Sequence, residues 1–140
     1  MHQTSNFLHI EHIGIAVQDL AEANERYTRL LGTAPYKSET VESQGVTTSF
    51  FMVGPNKIEL LQGLSPESPI SKFIANRGEG IHHIAYAVAD IKVEMERLHA
   101  EGFRLLSDAP SPGADNKLIC FVHPKDANGT LTELCQEQNL

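Results

Sequence analysis

One short phrase occurs twice in this chain, and it limits the possible folds more than any other feature. Glu11 to Asp19 reads EHIGIAVQD, and Gly80 to Asp90 reads GIHHIAYAVAD. Setting His12 against His83 places Ile13 on Ile84, Ala16 on Ala87, Val17 on Val88 and Asp19 on Asp90, with seven residues from His to Asp in both copies (19−12 and 90−83). Forty-seven residues after His12 (59−12) comes Glu59 in KIELL, and fifty after His83 (133−83) comes Glu133 in LTELC. A repeat of this size implies two copies of one supersecondary unit, neither of which buries a full core alone.

Hydrophobic periodicity gives each copy the plan β-α-β-β-β. In the first copy His9 to Val17 alternates as a half-buried strand does. Asp19 then caps a helix with an apolar stripe of Leu20, Ala23, Tyr27, Leu30 and Leu31, stopped by Gly32. Strands are expected at Tyr36 to Glu42, Val46 to Val53 and Lys57 to Gln62, with the GPN of Gly54 to Asn56 turning the last pair. Gly63 to Gly80 is the connector, in which Ser68 and Pro69 open a short helix over Ile70 to Arg77. In the second copy a strand at Ile81 to Val88 leads to a helix capped by Asp90 and stopped by Gly102, burying Ile91, Met95 and Leu98. Phe103 to Ser107, Leu118 to Val122 and Thr130 to Gln136 are its remaining strands, and DAPSPGADN, after Ser107, is read as an irregular loop of the kind that lies over a site. Residues 1 to 8 are expected to be a loose end. The whole is an α+β fold in one domain over 9–140, with modules at about 9–62 and 81–137 and a linker at 63–80.

Strand parity selects candidate ligands, because successive side chains point to opposite faces. Ile13, Ile15 and Val17 fall opposite His12, and Ile84, Tyr86 and Val88 fall opposite His83, so the bulky faces meet the helices. The histidine faces hold Gly14 and Ala16, or Ala85 and Ala87, and leave room for something else. Glu59 and Glu133 likewise point away from their apolar neighbours. If the modules pack with approximate two-fold symmetry, His12, Glu59, His83 and Glu133 converge as two imidazoles and two carboxylates, a donor set for a divalent transition metal. A single strand histidine is more often a satisfied polar residue than a ligand, but agreement between two copies favours the metal. His82 has the opposite parity to His83 and is read as packing or as support for a ligand. His2, His9, His99 and His123 have no repeat partner and are read as structural. Cys135 shares a face with Glu133.

Charge and composition remove other classes. A net charge of −7 over 140 residues argues against general nucleic-acid or anionic-membrane binding, which relies on a basic face. Mean hydropathy is −0.23 and no apolar run approaches a membrane span. The opening MHQTSNFLHI lacks the pattern of a signal peptide. Two cysteines, Cys120 and Cys135, make no disulfide framework, so a cytoplasmic protein with reduced thiols is expected.

EHIGIAVQDL, SQGV at Ser43 to Val46, KIELL, SPESPISKFIANRGEGIHHIAYAVADI from Ser65 to Ile91, PGADNK at Pro112 to Lys117 and FVHPKDANGTLTELCQ from Phe121 to Gln136 together resemble the methylmalonyl-CoA epimerase branch of the vicinal oxygen chelate superfamily. The resemblance implies paired βαβββ modules around a cup-shaped site, an acyl-CoA substrate, a homodimer, and a divalent metal (Co, Mn, Zn, Ni or Mg) on His12, Glu59, His83 and Glu133. Some members carry Gln in place of Glu59. A Glu proposed as a base in some members lies where this chain has Thr48, and many have Glu immediately before QGV, where this chain has Ser43 preceded by Glu42. The reaction so implied is epimerisation at C2 of methylmalonyl-CoA through an enolate, with Glu133 as one proton carrier and Glu59 or Glu42 as the other. Rival readings are a glyoxalase I-like lactoylglutathione lyase, an extradiol dioxygenase, which would use fewer protein ligands, and a metal-free small-molecule-binding protein on the same fold.

Overall fold

The computed structural model describes residues 4–138, so His2 lies outside the described residues. Its backbone divides into two compact units, one of His12–His82 and one made of the segment up to Glu11 together with the chain from His83 onward.

In the His12–His82 unit, β1 (His9–Ala16) leads into α1 (Leu20–Leu31), then β2 (Lys37–Val41), β3 (Val46–Val53), β4 (Asn56–Gly63) and α2 (Pro69–Arg77). The strand order is β2-β3-β4-β1, with β1 parallel to β4 and the other pairs antiparallel. Asp19 accepts a hydrogen bond from the Glu22 amide and so caps α1, while Gln62 Oε1 accepts another from the Leu20 amide. Two of the amides that a helix start leaves without partners are thereby satisfied. Gly32 ends the helix at φ 75°, a left-handed conformation that glycine adopts without a Cβ penalty. Val17, Leu20, Ala23, Phe51 and Leu60 form the core under α1, with Ile15, Tyr27, Leu31 and Ile58 packed against it. Leu30, expected in the buried stripe, is instead 69% exposed. An apolar arc of five residues is wider than the sheet face that α1 covers, and Leu30 falls at its rim.

The other unit repeats the plan with β5 (Gly80–Ala87), α3 (Ile91–Ala100), β6 (Ser111–Pro112), β7 (Lys117–Val122) and β8 (Thr132–Glu137). Their order is β5-β8-β7-β6, with β5 and β8 parallel. Asp90 caps α3 and Gln136 Oε1 accepts from the Ile91 amide, matching Asp19 and Gln62 position for position. Val88, Ile91, Met95, Leu98, Cys120, Val122 and Leu134 make the core beneath α3.

Two expectations fail in this unit. Phe103 to Ser107 is no ladder strand: it makes one bridge, Leu105 to Val122, and is tied down by Arg104, whose amide, Nε and Nη2 all donate to the Asp126 carboxylate at 2.8–3.0 Å. The short strand lies later, at Ser111–Pro112, inside the stretch expected to be irregular, where Asp115 and Asn116 take left-handed conformations to enter β7. The chain start is also not loose throughout. The Leu8 amide donates to the Ala87 carbonyl at 2.8 Å, and Phe7 lies 5.1 Å from the Tyr86 ring beneath the Arg97 guanidinium.

α2 begins as expected, with Ser68 Oγ accepting from the Ser71 amide and Pro69 in the first turn. Its Ile70, Phe73 and Ile74 cover Ala16, Val46 and Leu61 on the face of the sheet opposite α1. Leu98→Ala should lower unfolding free energy by about 2–5 kcal/mol in a urea titration, because it empties a filled core, whereas Leu30→Ala should change it by less than about 0.5 kcal/mol.

Candidate active site

The histidine-bearing faces are built alike in the two units. In the first, the ladder aligns Lys37, Phe50, Glu59 and Gly14 in one rung and Glu39, Thr48, Leu61 and Ala16 in a neighbouring one. His12, two residues before Gly14, therefore shares their face. Its Nε2 lies 3.2 Å from Glu59 Oε1, and Phe50 meets the imidazole edge-on at 6.2 Å with the rings at 86°. In the second unit His83 Nε2 lies 3.1 Å from Glu133 Oε1, and Phe121 meets that ring at 6.1 Å and 90°. Phe121 pairs with Glu133 across the ladder just as Phe50 pairs with Glu59. Both phenylalanines stand thirty-eight residues after their histidine (50−12 and 121−83), so the three extra residues of the second copy all fall between Phe121 and Glu133. They are taken up by the 3₁₀ turn Pro124–Ala127, which His123 opens by accepting the Lys125 amide on Nδ1. That gives His123 the structural role expected of it.

All four polar side chains are buried, at 2–5% exposure. A carboxylate taken out of water costs several kcal/mol unless it is partnered, and each here has an imidazole nitrogen as its partner. The fit to a metal can be tested on the donor atoms. Ligands about 2.1 Å from an ion sit roughly 3.0 Å apart at right angles and 3.4 Å apart at the tetrahedral angle, and the observed 3.2 and 3.1 Å fall in that interval. Each pair thus offers one nitrogen and one oxygen donor at a spacing that suits a divalent ion, with aromatic edges fixing the imidazole planes.

The remaining sequence candidates occupy other places. Glu42 is exposed, in the 3₁₀ turn Glu42–Gln44 after β2. The preceding Val41–Val46–Gly63 rung is four residues along the strands from the Phe50–Glu59 rung, about 13 Å at roughly 3.3 Å per residue. His82 meets Phe73 of α2 edge-on at 4.9 Å, a packing contact, and the Arg77 guanidinium lies 5.8 Å from the centre of the same ring. Sequence reading missed Lys37 and Glu39, ion-paired at 3.5 Å on the His12 face. Their alternation in KSETV was visible, but only the β2–β3 register shows which face they share.

Residues 11–121 match the family model of the Glyoxalase/Bleomycin resistance protein/Dioxygenase superfamily. Over 129 residues the chain is 43% identical to an ethylmalonyl-CoA/methylmalonyl-CoA epimerase of Cereibacter sphaeroides, covering 91% of this chain and 96% of that protein. The crystal structure of methylmalonyl-CoA epimerase from Mycobacterium tuberculosis superposes with a TM-score of 0.94 at 36% identity, covering 99% of this chain and 94% of that one. A single-substitution variant of the Streptomyces coelicolor methylmalonyl-CoA epimerase in complex with 2-nitronate-propionyl-CoA gives a TM-score of 0.92 at 34% identity, over 95% and 99% of the two chains. The chain belongs to this superfamily and, within it, to the methylmalonyl-CoA epimerase family. Its mixed α+β fold of two βαβββ units is the vicinal oxygen chelate fold of those enzymes. No helix among the described residues is long and apolar enough to cross a membrane.

Both cysteines are buried and neither is in a disulfide, and burial pushes the Cys120 thiol above its ordinary range. The Cys135 thiol rests on the Tyr86 carbonyl at 3.5 Å. Neither is poised as a nucleophile. A chromogenic disulfide reagent at pH 8 should therefore titrate about two thiols in urea and react far more slowly with the folded protein; rapid labelling of the native state would contradict this arrangement.

Proposed function

We propose that this chain interconverts (R)- and (S)-methylmalonyl-CoA by removing the C2 proton and returning one to the opposite face. The observation that carries the reading is the matched His–Glu pair in each unit, at 3.2 and 3.1 Å, within a chain 43% identical to an epimerase of that substrate class. We assign His12, Glu59, His83 and Glu133 as donors to one divalent metal, an assignment supported by donor type, donor spacing and the repeat. When bound, such an ion supplies Lewis-acid stabilisation to an enolate.

The C2 proton of a malonyl thioester is weakly acidic, and inversion needs a carrier on each face of the planar enolate. Glu133 is assigned to one face. For the other we favour Glu59 over Glu42, because Glu59 sits on the histidine face whereas Glu42 follows a rung about 13 Å away and is open to solvent. Phe50 and Phe121 pack against the two imidazoles and fix their planes. We also propose a homodimer in solution, since β2 ends its strand order with an edge that a second copy would cover. Light scattering at micromolar concentration should give about twice the 15.4 kDa of one chain.

The test is C2 proton exchange of methylmalonyl-CoA in deuterated water. Exchange and epimerisation should both be present with metal, and fall at least about 100-fold on chelation, with recovery on adding metal back. Activity indifferent to a chelator that removes all bound metal would overturn the metal assignment. Inactivity with methylmalonyl-CoA alongside turnover of a glutathione hemithioacetal would overturn the substrate. Within the same assay His83→Ala should abolish epimerisation, while His82→Ala, which loses an edge contact with Phe73, should keep turnover within about tenfold and lose stability instead. The reverse pattern would show that the strand register does not determine the ligands.

A further inference from the structure

Thr48 and Ser49, adjacent on β3, are both fully buried, and the hydroxyl of each lacks a hydrogen-bond partner among the described residues. Such a group normally costs stability for no return. Being neighbours on a strand, the two point to opposite faces. Ser49 shares the parity of Phe51, which packs in the core under α1, and so lies on the face away from His12 and Glu59. Thr48 faces the other way, on the face of His12, Phe50 and Glu59. Along its strand it is flanked by Val46 and Phe50, and across the ladder by Leu61 and Glu39.

The repeat supplies the control for what that position needs. Thr48 stands thirty-six residues after His12, and the residue thirty-six after His83 is Ile119 (48−12 and 119−83). Ile119 is 4% exposed and packs with Ala85, Cys135 and Phe121. The same place in the same fold thus takes a purely apolar side chain in one copy, so packing does not call for the hydroxyl in the other. Threonine also has no ionisable group in the working range and cannot serve as a proton carrier by itself. What it offers at the Glu59 face is a fixed donor, about 7–8 Å diagonally from the Glu59 position.

We infer that Thr48 Oγ1 donates a hydrogen bond to the free carboxylate of the substrate's malonyl group and so selects a carboxylated acyl-CoA over one without that group. This rests on the function proposed above. A hydroxyl bound to a full charge makes a stronger bond than one to a neutral carbonyl. Lys37, on the adjoining rung of the same face, offsets the charge of Glu39 at 3.5 Å, so that the incoming anion does not meet an uncompensated carboxylate.

Calorimetric binding of two ligands tests the inference without requiring turnover: methylmalonyl-CoA and propionyl-CoA, which lacks the carboxylate. Thr48→Val removes the hydroxyl at nearly constant volume. It should weaken methylmalonyl-CoA by about ten- to a hundredfold, leave propionyl-CoA within about twofold, and hold or raise the thermal midpoint; Thr48→Ser should restore the affinity. Ser49→Ala should hold or raise the midpoint and leave both affinities unchanged. Equal weakening of both ligands, or of neither, overturns the carboxylate contact, as does a Thr48→Val protein that is less stable with unchanged binding. Failure of the unmodified protein to bind methylmalonyl-CoA would overturn the substrate reading itself, and is told apart because it precedes any substitution.

Discussion

Each unit is organised around a carboxylate buried against an imidazole. Glu59 and Glu133 lie inside a sheet face, and an imidazole nitrogen 3.1–3.2 Å away offsets the cost of burying each carboxylate. That contact fixes much else. The strand carrying the histidine must run beside the strand carrying the glutamate, which is the parallel pairing of β1 with β4 and of β5 with β8. Parallel neighbours need a long crossover, and the intervening helix and two strands supply it. The histidine faces carry only small residues on their own strands, Gly14 and Ala16 or Ala85 and Ala87, while bulky residues of opposite parity such as Ile15, Val17 and Val88 enter the cores under α1 and α3.

The helices are tied to the same strands by a second repeated device. Gln62 and Gln136 stand three residues beyond Glu59 and Glu133 (62−59 and 136−133), and their amide oxygens bond the first amides of α1 and α3. A single strand therefore presents its carboxylate to one face and grips the start of the covering helix a few residues later. The position of the helix and the position of the acid are coupled through the backbone of β4 or β8. Such coupling holds a site to a narrow geometry, as catalysis by positioned groups demands.

Much of this was legible in the chain because the information was local or repeated. The His-to-Asp spacing of seven, the Asp19 and Asp90 caps and the strand parity that picked Glu59 and Glu133 each need only a few neighbouring letters. Three things were not legible, for physical reasons. Leu30 belongs to an apolar arc in sequence, but how much of an arc is covered depends on the width of the partner surface. The strand expected at Phe103 to Ser107 has suitable residues, yet the bidentate Arg104–Asp126 pair, which holds the Asp126 carboxyl down at about 2, anchors that segment to a turn twenty-two residues away (126−104). Lys37 and Glu39 alternate correctly but declare their face only through the β2–β3 register.

The departures from symmetry are as informative as the symmetry. A duplicated unit starts with two equal faces, but inversion of a carbon centre presents the protein with a substrate that is not two-fold: a methyl, a carboxylate and a thioester around one carbon. Two identical half-sites would bind it equally well in wrong orientations. Conserving the metal-type donors while altering the residues around them resolves that conflict. The first unit has Thr48 and Leu61 where the second has Ile119 and Cys135, and the first has α2 folded against Ala16, Val46 and Leu61. One half thus has a hydroxyl on the face of its His–Glu pair while the other has an apolar side chain at the matching position beside a pair of like spacing. On the function proposed above, the shared pairs would serve the chemistry common to both faces of the enolate, and the unshared residues would decide which way round the acyl group lies.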